Sequence, residues 1–315
     1  MTNSLPRNLF EFLRLCRFPT VFTALADIAL GYFLTHPGLD EPPRFGLLLL
    51  ASAGLYLSGM VWNDIFDVAL DRLERPERPL PRGSISLRSA IAFALALMLG
   101  GLLAAALVGS SSLLVGLIIA AAVLLYDGYL KRTPLAPLGM GLCRFFNVLL
   151  GASAAGIRLG STFQQPQLWV AGCMAVYIIG VTLFARGEAG TSSRPTLTLG
   201  LLIANLGMFG LAVWIMGWTV PFGFLIGFGA VAKPWTVLLL LGAIALTINR
   251  RGLLAISDPK PQHVQPTVGV MLLSIIMLNA MSIYFKLGPA GLPYALGTVA
   301  LLIPAVSLKR WIPLS

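Results

Sequence analysis

Ten stretches of this chain are apolar over roughly the 20 residues that a helix needs to cross the hydrocarbon core of a bilayer. They lie near 18–35, 46–62, 88–109, 113–130, 138–157, 168–185, 196–217, 234–249, 267–285 and 291–308. The eighth is short, with an alternative start near Pro221 and a break at Lys233-Pro234. A chain of such segments has few structural options. Lipid offers the backbone no hydrogen-bond partners, so only helices or a closed barrel span it, and runs of this length are helical. Only 11% of the residues are charged, against about 25% in soluble domains, and 57% are hydrophobic. Those fractions exclude an ordinary soluble enzyme, a disordered chain and a small disulfide scaffold. The three cysteines, Cys16, Cys143 and Cys173, sit at or inside apolar segments and read as small buried hydrophobes.

The net charge of +10 would suggest a nucleic-acid surface in a soluble protein. Here the basic residues fall between apolar runs. Of the 22 Lys and Arg, all except Arg44, Arg158, Lys233 and Lys286 fall on one side of a ten-span chain. This asymmetry predicts that side to be cytoplasmic, with both termini there, and nucleic acid is not an expected partner. The expected organisation is an interfacial helix over residues 1–17 followed by one multi-span membrane domain over 18–315. Leu5, Leu9, Phe12, Leu13 and Cys16 fall near one helical face, away from Arg7 and Arg14. The first 17 residues contain no apolar core long enough for a cleavable signal peptide.

The scarce acidic residues are concentrated. Asp64, Asp67, Asp71, Glu74 and Glu77 are five of the chain's 12, all in the segment that follows the second span. Asn63, Asp67 and Asp71 are four apart and share one helical face, where stacked like charges repel. A hard cation removes that penalty. Mg²⁺ takes oxygen ligands and is commonly held by one or two carboxylates with waters and substrate phosphate. The face therefore reads as a magnesium–phosphate platform, with Asp64 partly turned away and Glu74 and Glu77 making surface pairs. Lys131 and Arg132 close the fourth span, and Arg144 and Asn147 enter the fifth. Arg offers phosphate a bidentate fork and Lys a point charge. The third loop on this side carries Arg186, Glu188 and Arg194. Asp27, inside the first span, has two open readings: a functional acid or a partner for a neighbouring helix. His36 and His263 are isolated, and nothing suggests a zinc site.

The pattern N-D-x-x-D-x-x-x-D (63–71), followed by R-P-x-R-P-L-P-x-G (75–83), resembles the first aspartate-rich motif of the UbiA superfamily of intramembrane prenyltransferases. The order of parts is similar too, with Y-x-x-x-x-K-R (126–132) after the fourth span and a polar loop after the sixth. The wording of both segments most resembles the EboC subgroup. The resemblance covers about residues 10 to 285. It implies an all-α membrane protein, a UbiA-like bundle of nine to ten transmembrane helices around a central cavity. It further implies Mg²⁺-dependent transfer of a prenyl group from an isoprenyl diphosphate to a lipophilic acceptor, aromatic ones included, within the bilayer. By the same resemblance Asn63, Asp67 and Asp71 would hold the metal, and Asp67, Asp71 and Lys131 would be catalytic. Asp64, Arg72, Arg78, Arg132, Arg144, Asn147, Arg186 and Glu188 would contact substrate. Phe66, Tyr126, Tyr129, Phe145, Phe146 and Tyr177 are aromatic candidates for stabilising a carbocation, and Asp27 or Asp127 for a base. The chain departs from the resemblance at its second motif. Where a D-x-x-x-D pair is expected, Thr182 and Arg186 stand, and Glu188 is the acid nearby. A non-catalytic lipid carrier or export component on the same bundle is the alternative that this departure raises.

Overall fold

The computed structural model describes residues 7–156, 159–217 and 233–309. Pro221, Leu5, Arg158 and Arg310, which enter the expectations above, lie outside them. The described elements are helices α1 (Arg7–Leu15), α2 (Val21–Thr35), α3 (Pro42–Phe66), α4 (Val68–Glu74), α5 (Leu87–Val108), α6 (Ser110–Gly128), α7 (Ala136–Ala152), α8 (Leu159–Thr162), α9 (Gln167–Ala185), α10 (Arg194–Ile215), α11 (Pro234–Ser257), α12 (Pro261–Leu287), α13 (Leu292–Ala300) and α14 (Leu302–Lys309), with four short 3₁₀ turns. Proline occupies the first turn of α3, α7, α10, α11 and α12. There its missing N–H costs nothing and its fixed φ favours the helix.

Nine stretches among the described residues are long and apolar enough to cross a membrane. The last, Pro261–Leu308, holds 48 residues. At 1.5 Å per residue that is more than twice a bilayer core, so it is no single crossing. The chain turns at Gly288 (φ 64°) and doubles back through α13 and α14. Tyr294 of α13 stacks on Phe33 near one end of α2, whereas Ala305 of α14 packs with Ala26 nearer the other. The tenth expected segment therefore runs the length of α2, as a broken helix rather than a straight one. Pro304 explains the break at Leu301, because its ring clashes with the carbonyl four residues back. The eighth segment, expected at 234–249, extends to Ser257 as α11.

The helices α2, α7, α9, α10, α11 and α12 form a closed circuit, each packed on the next and α12 returning to α2, with α3, α5 and α6 against the α2–α7 side. The window over the first span is 78% buried and that over α11 only 22%, which places α2 at the centre and α11 at the rim. Exposed leucines such as Leu103, Leu202, Leu239 and Leu246 form the outer surface expected against lipid. Hydrophobic burial does not drive helices together in lipid, so close approach through small residues matters more. A methyl group at Gly31 would strike the Val148 carbonyl, and one at Gly151 would strike backbone atoms of Ile28. The α2–α7 contact thus depends on both glycines.

Helix α1 exists, and Phe12 and Cys16 of the expected face turn inward together with Leu15. Leu15, Cys16 and Phe12 pack against Val61, Ala90 and Ala94, while Leu9 is exposed. Glu11, also buried, accepts hydrogen bonds from Arg82 (2.8 Å) and Ser84 (3.2 Å).

Candidate active site at one end of the bundle

The segment Asn63–Asp71 is not one uninterrupted helix. The chain breaks for a single residue at Asp67 (φ −93°, ψ 0°) between α3 and α4. Backbone bonds from Asp67 N–H to the Asn63 carbonyl (3.1 Å) and from Asp71 N–H to the Asp67 carbonyl (2.8 Å) carry the helical path across it. The spacing of four survives the break, and Asn63, Asp67 and Asp71 all line one cavity of about 830 Å³. Lys131, Arg78, Arg186 and Glu188 line the same cavity. Its walls come from the 3₁₀ turn before α2, from α3 and α4, from the α6–α7 connection, from the end of α9 and from the start of α12. These are all at one end of the bundle, as the one-sided distribution of polar residues suggested.

Each aspartate of the 64–71 segment faces a cation. Lys131 pairs with Asp67. Arg78 Nη1 lies 2.7 Å from Asp71 and 3.3 Å from Asp64. Asp64 also accepts from Arg17 at 3.0 Å. It turns away from the main cavity into a neighbouring space of about 390 Å³, shared by Arg14, Arg75 and Glu77. Asn63 donates its amide to Asp127 Oδ1 at 2.9 Å. That bond leaves the Asn63 carbonyl oxygen as its remaining acceptor and fixes which way the amide is turned. Burial pushes the Glu188 carboxyl above its usual range, against the pull of Arg75 and Arg17.

Besides Asp64, four expected contacts are not in the cavity. Arg72 is exposed on α4. Arg132 is exposed and turns back to the Phe66 carbonyl (3.4 Å). Arg144 and Asn147 belong to a separate buried cluster around Asp27. Arg144 Nη1 is 2.5 Å from Asp27 Oδ2, Asn147 donates to the same oxygen at 3.1 Å, and Asn279 donates to Oδ1 at 2.8 Å. Arg144 also reaches Thr23 (3.3 Å), and Ser52 donates to Asn147 (2.7 Å). The open question over Asp27 is thereby answered, since its carboxylate joins α2 to α7 and α12. Asp127, the other candidate base, is buried against Asn63 and does not line the cavity.

Of the proposed aromatic groups, only Tyr126 lines the cavity. Phe66 and Tyr129 are exposed, Phe145 and Phe146 pack on each other, and Tyr177 donates to the Met271 carbonyl at 2.8 Å. Sequence reasoning missed Tyr56, Arg17 and the α12 wall with Gln262 and Gln265. Arg17 carried a readable signal, a cation beside Phe18-Pro19 at the mouth of the first span. It adopts a left-handed backbone (φ 46°), which is unusual for a residue with a side chain and is held by its bond to Asp64. Gln262 and Gln265 carried none, because uncharged polar residues near a helix start are ordinary.

The cavity joins a charged floor to an apolar side made by Met60, Met140, Val181 and Leu272. Such a space suits a ligand with an anionic head and a hydrocarbon tail. The donor set suits one hard cation, since Asn63, Asp67 and Asp71 supply oxygen from one wall. Among the described residues no three His, Cys, Asp or Glu side chains form a metal-holding group. The ion's other positions would fall to phosphate and water, the usual arrangement for Mg²⁺.

Comparison with known proteins agrees with this architecture. The digeranylgeranylglyceryl phosphate synthase of Methanoculleus marisnigri is 35% identical over 148 residues, which is 47% of this chain and 52% of that protein. The chain thus spans about half the length of this relative. The enzyme of the same name from Sulfolobus acidocaldarius is 27% identical over 249 residues, 75% of this chain and 84% of the relative. A UbiA homologue from Archaeoglobus fulgidus, solved bound to GPP and Mg²⁺, superposes with a TM-score of 0.61 at 17% identity, over 92% of this chain and 99% of that one. The model of the UbiA prenyltransferase family matches residues 24–276. With most of its length inside that match, and with helices and cavity arranged as above, this multi-pass membrane protein belongs to the UbiA prenyltransferase family.

Proposed function

We propose that the protein transfers a prenyl group from an isoprenyl diphosphate to a lipophilic acceptor inside the membrane, with Mg²⁺ as cofactor. The observation that carries this reading is the shared cavity. Asn63, Asp67 and Asp71 meet Lys131, Arg78 and Arg186 there, directly beside an apolar wall. The names and bound ligands of the relatives lend it support.

Asn63, Asp67 and Asp71 would hold the ion, which when bound supplies positive charge that makes diphosphate a better leaving group. Lys131, Arg78 and Arg186 bind the diphosphate oxygens and stabilise the charge that grows on them as the carbon–oxygen bond breaks. The bonding electrons leave with diphosphate, and the prenyl carbon becomes an allylic cation. Tyr56 and Tyr126 face it across the cavity and stabilise it through their rings. The acceptor's nucleophilic atom forms the new bond and passes its proton to the released diphosphate, which lies in the same cavity. The apolar wall keeps water away, so that the cation meets the acceptor rather than being hydrolysed. The relatives' name implies a glyceryl phosphate lipid as their product. We infer an acceptor of similar amphiphilic build, with its polar part at the charged mouth. We place that mouth, with α1 lying along the surface, on the cytoplasmic side of the cell membrane, and treat 18–315 as one membrane domain.

The reading is tested with purified protein in lipid nanodiscs, Mg²⁺ and a panel of prenyl diphosphates and acceptor lipids, with products identified by mass spectrometry. A prenylated lipid that disappears on chelation is the expected result. Tight diphosphate binding without any product would favour the carrier function instead.

Asp127 makes a further expectation. Groups that orient a metal ligand typically matter by 10–100-fold in affinity. Asp127→Ala should therefore weaken Mn²⁺ binding by about tenfold or more, read by electron paramagnetic resonance. Wild-type affinity in that variant would remove Asp127 from the site.

A further inference from the structure

The walls of the cavity differ in charge. The α3–α4 wall brings Asn63, Asp67 and Asp71. The end of α9 brings Thr182 and Arg186, one turn apart, and then Glu188. Of the other cations on the cavity, Lys131 is committed to Asp67, Arg78 to Asp71 and Asp64, and Arg17 to Asp64, while Arg75 lies within electrostatic reach of Glu188. Arg186 reaches the cavity with no carboxylate within ion-pair distance among the described residues. It also caps the C-terminus of α9, where the free carbonyls of the last turn favour a positive charge. A divalent ion on this wall would find a single carboxylate, Glu188, with a permanent guanidinium two residues away. A diphosphate meeting the same wall would find an unpaired planar fork matched to phosphate oxygens.

Resting on the prenyl-transfer reading, we propose that Arg186, standing where the resemblance leads one to expect an acidic metal ligand, serves in place of a divalent ion on the α9 wall, so that the site binds one divalent cation, at Asn63, Asp67 and Asp71, with each prenyl diphosphate. The guanidinium neutralises the diphosphate from the α9 side and needs no metal to do so. Part of the substrate's affinity is therefore metal-independent, and Arg186 supplies a measurable share of it.

The test uses the full chain in nanodiscs and a non-hydrolysable geranylgeranyl thiodiphosphate. Bound Mn²⁺ is counted by electron paramagnetic resonance after equilibrium dialysis, with and without the analogue. One Mn²⁺ per bound analogue is expected in the wild type. Arg186→Ala should still bind one Mn²⁺, yet bind the analogue about tenfold more weakly, both with Mn²⁺ and in EDTA, because charge-assisted hydrogen bonds are lost. Arg186→Lys should restore part of the affinity. Arg186 is exposed, so the alanine variant should fold, and its melting temperature checks this. Two Mn²⁺ per analogue in the wild type, or an Arg186→Ala affinity within about twofold of wild type, would overturn the proposal while leaving prenyl transfer intact. Failure of the wild type to bind the analogue at all would defeat both.

Discussion

Asp67→Ala and Asp71→Ala should each lower metal-dependent prenyl transfer by at least about 10²–10³-fold, the scale seen when a group that stabilises developing charge is removed. Both carboxylates line the cavity and share it with Asn63. Each is also the anion facing a cation proposed to bind diphosphate, Lys131 for Asp67 and Arg78 for Asp71. Removing one carboxylate therefore weakens the ion's seat and frees a neighbouring cation to move. The fold should tolerate both changes. Asp67 sits at the interruption between two helices, and after Asp71→Ala the guanidinium of Arg78 keeps Asp64 as a partner. The measurement is product formation in nanodiscs across a Mg²⁺ titration, alongside membrane insertion and melting temperature. Correctly inserted variants that turn over at the wild-type rate would refute the assignment.

Arg144→Met should destabilise the protein by about 3–5 kcal/mol, the usual consequence of leaving one member of a buried ion pair uncompensated. Arg144 and Asp27 have side-chain exposures of 8% and 0%, and the pair is 2.5 Å apart in the centre of the bundle. Asp27 would still accept from Asn147 and Asn279, but its negative charge would have lost its counter-ion. The double variant Asp27→Asn with Arg144→Met removes both charges and should recover most of the loss, since a neutral amide can still bond to its neighbours. Thermal unfolding in detergent distinguishes the two. An Arg144→Met melting temperature equal to wild type would show that the pair contributes nothing. The same variants separate structure from chemistry, because neither residue lines the cavity. Activity of the double variant should follow its folded fraction.

The residues of the site divide by how far apart in the chain their causes lie. Asn63, Asp67 and Asp71 were readable because helical spacing is local. The one-residue break at Asp67 did not carry them off the cavity. Lys131 and Arg186 were readable as cations at the ends of apolar segments on the same side. Arg144 lies away from the cavity for a long-range reason. An arginine inside a span needs an anion, and from the sequence alone phosphate fits as well as a carboxylate. The structure supplies Asp27 instead, from a helix 117 residues away in the chain. Arg17 and Tyr56 escaped notice because a cation near a span end and an aromatic within one are ordinary in membrane proteins. Their role depends on the cavity they happen to border. In the N-terminal helix, local spacing gave the apolar residues, but only the tertiary structure showed that Leu15 and Cys16 pack on α3 and α5.

The sequence by itself determined the helical membrane class, the segments that cross, the one-sided placement of charge and the acidic face of the site. Each of these follows from run length or from a period of three to four residues, and such quantities are complete within a single stretch of chain. Tertiary structure decided which cations keep carboxylate partners of their own and which do not. It also decided that Asp27 ties α2 to α7 and α12, and that the last crossing is a broken helix laid along α2. Those outcomes depend on which helices become neighbours, and adjacency in space is settled only when small residues such as Gly31 and Gly151 let two backbones meet.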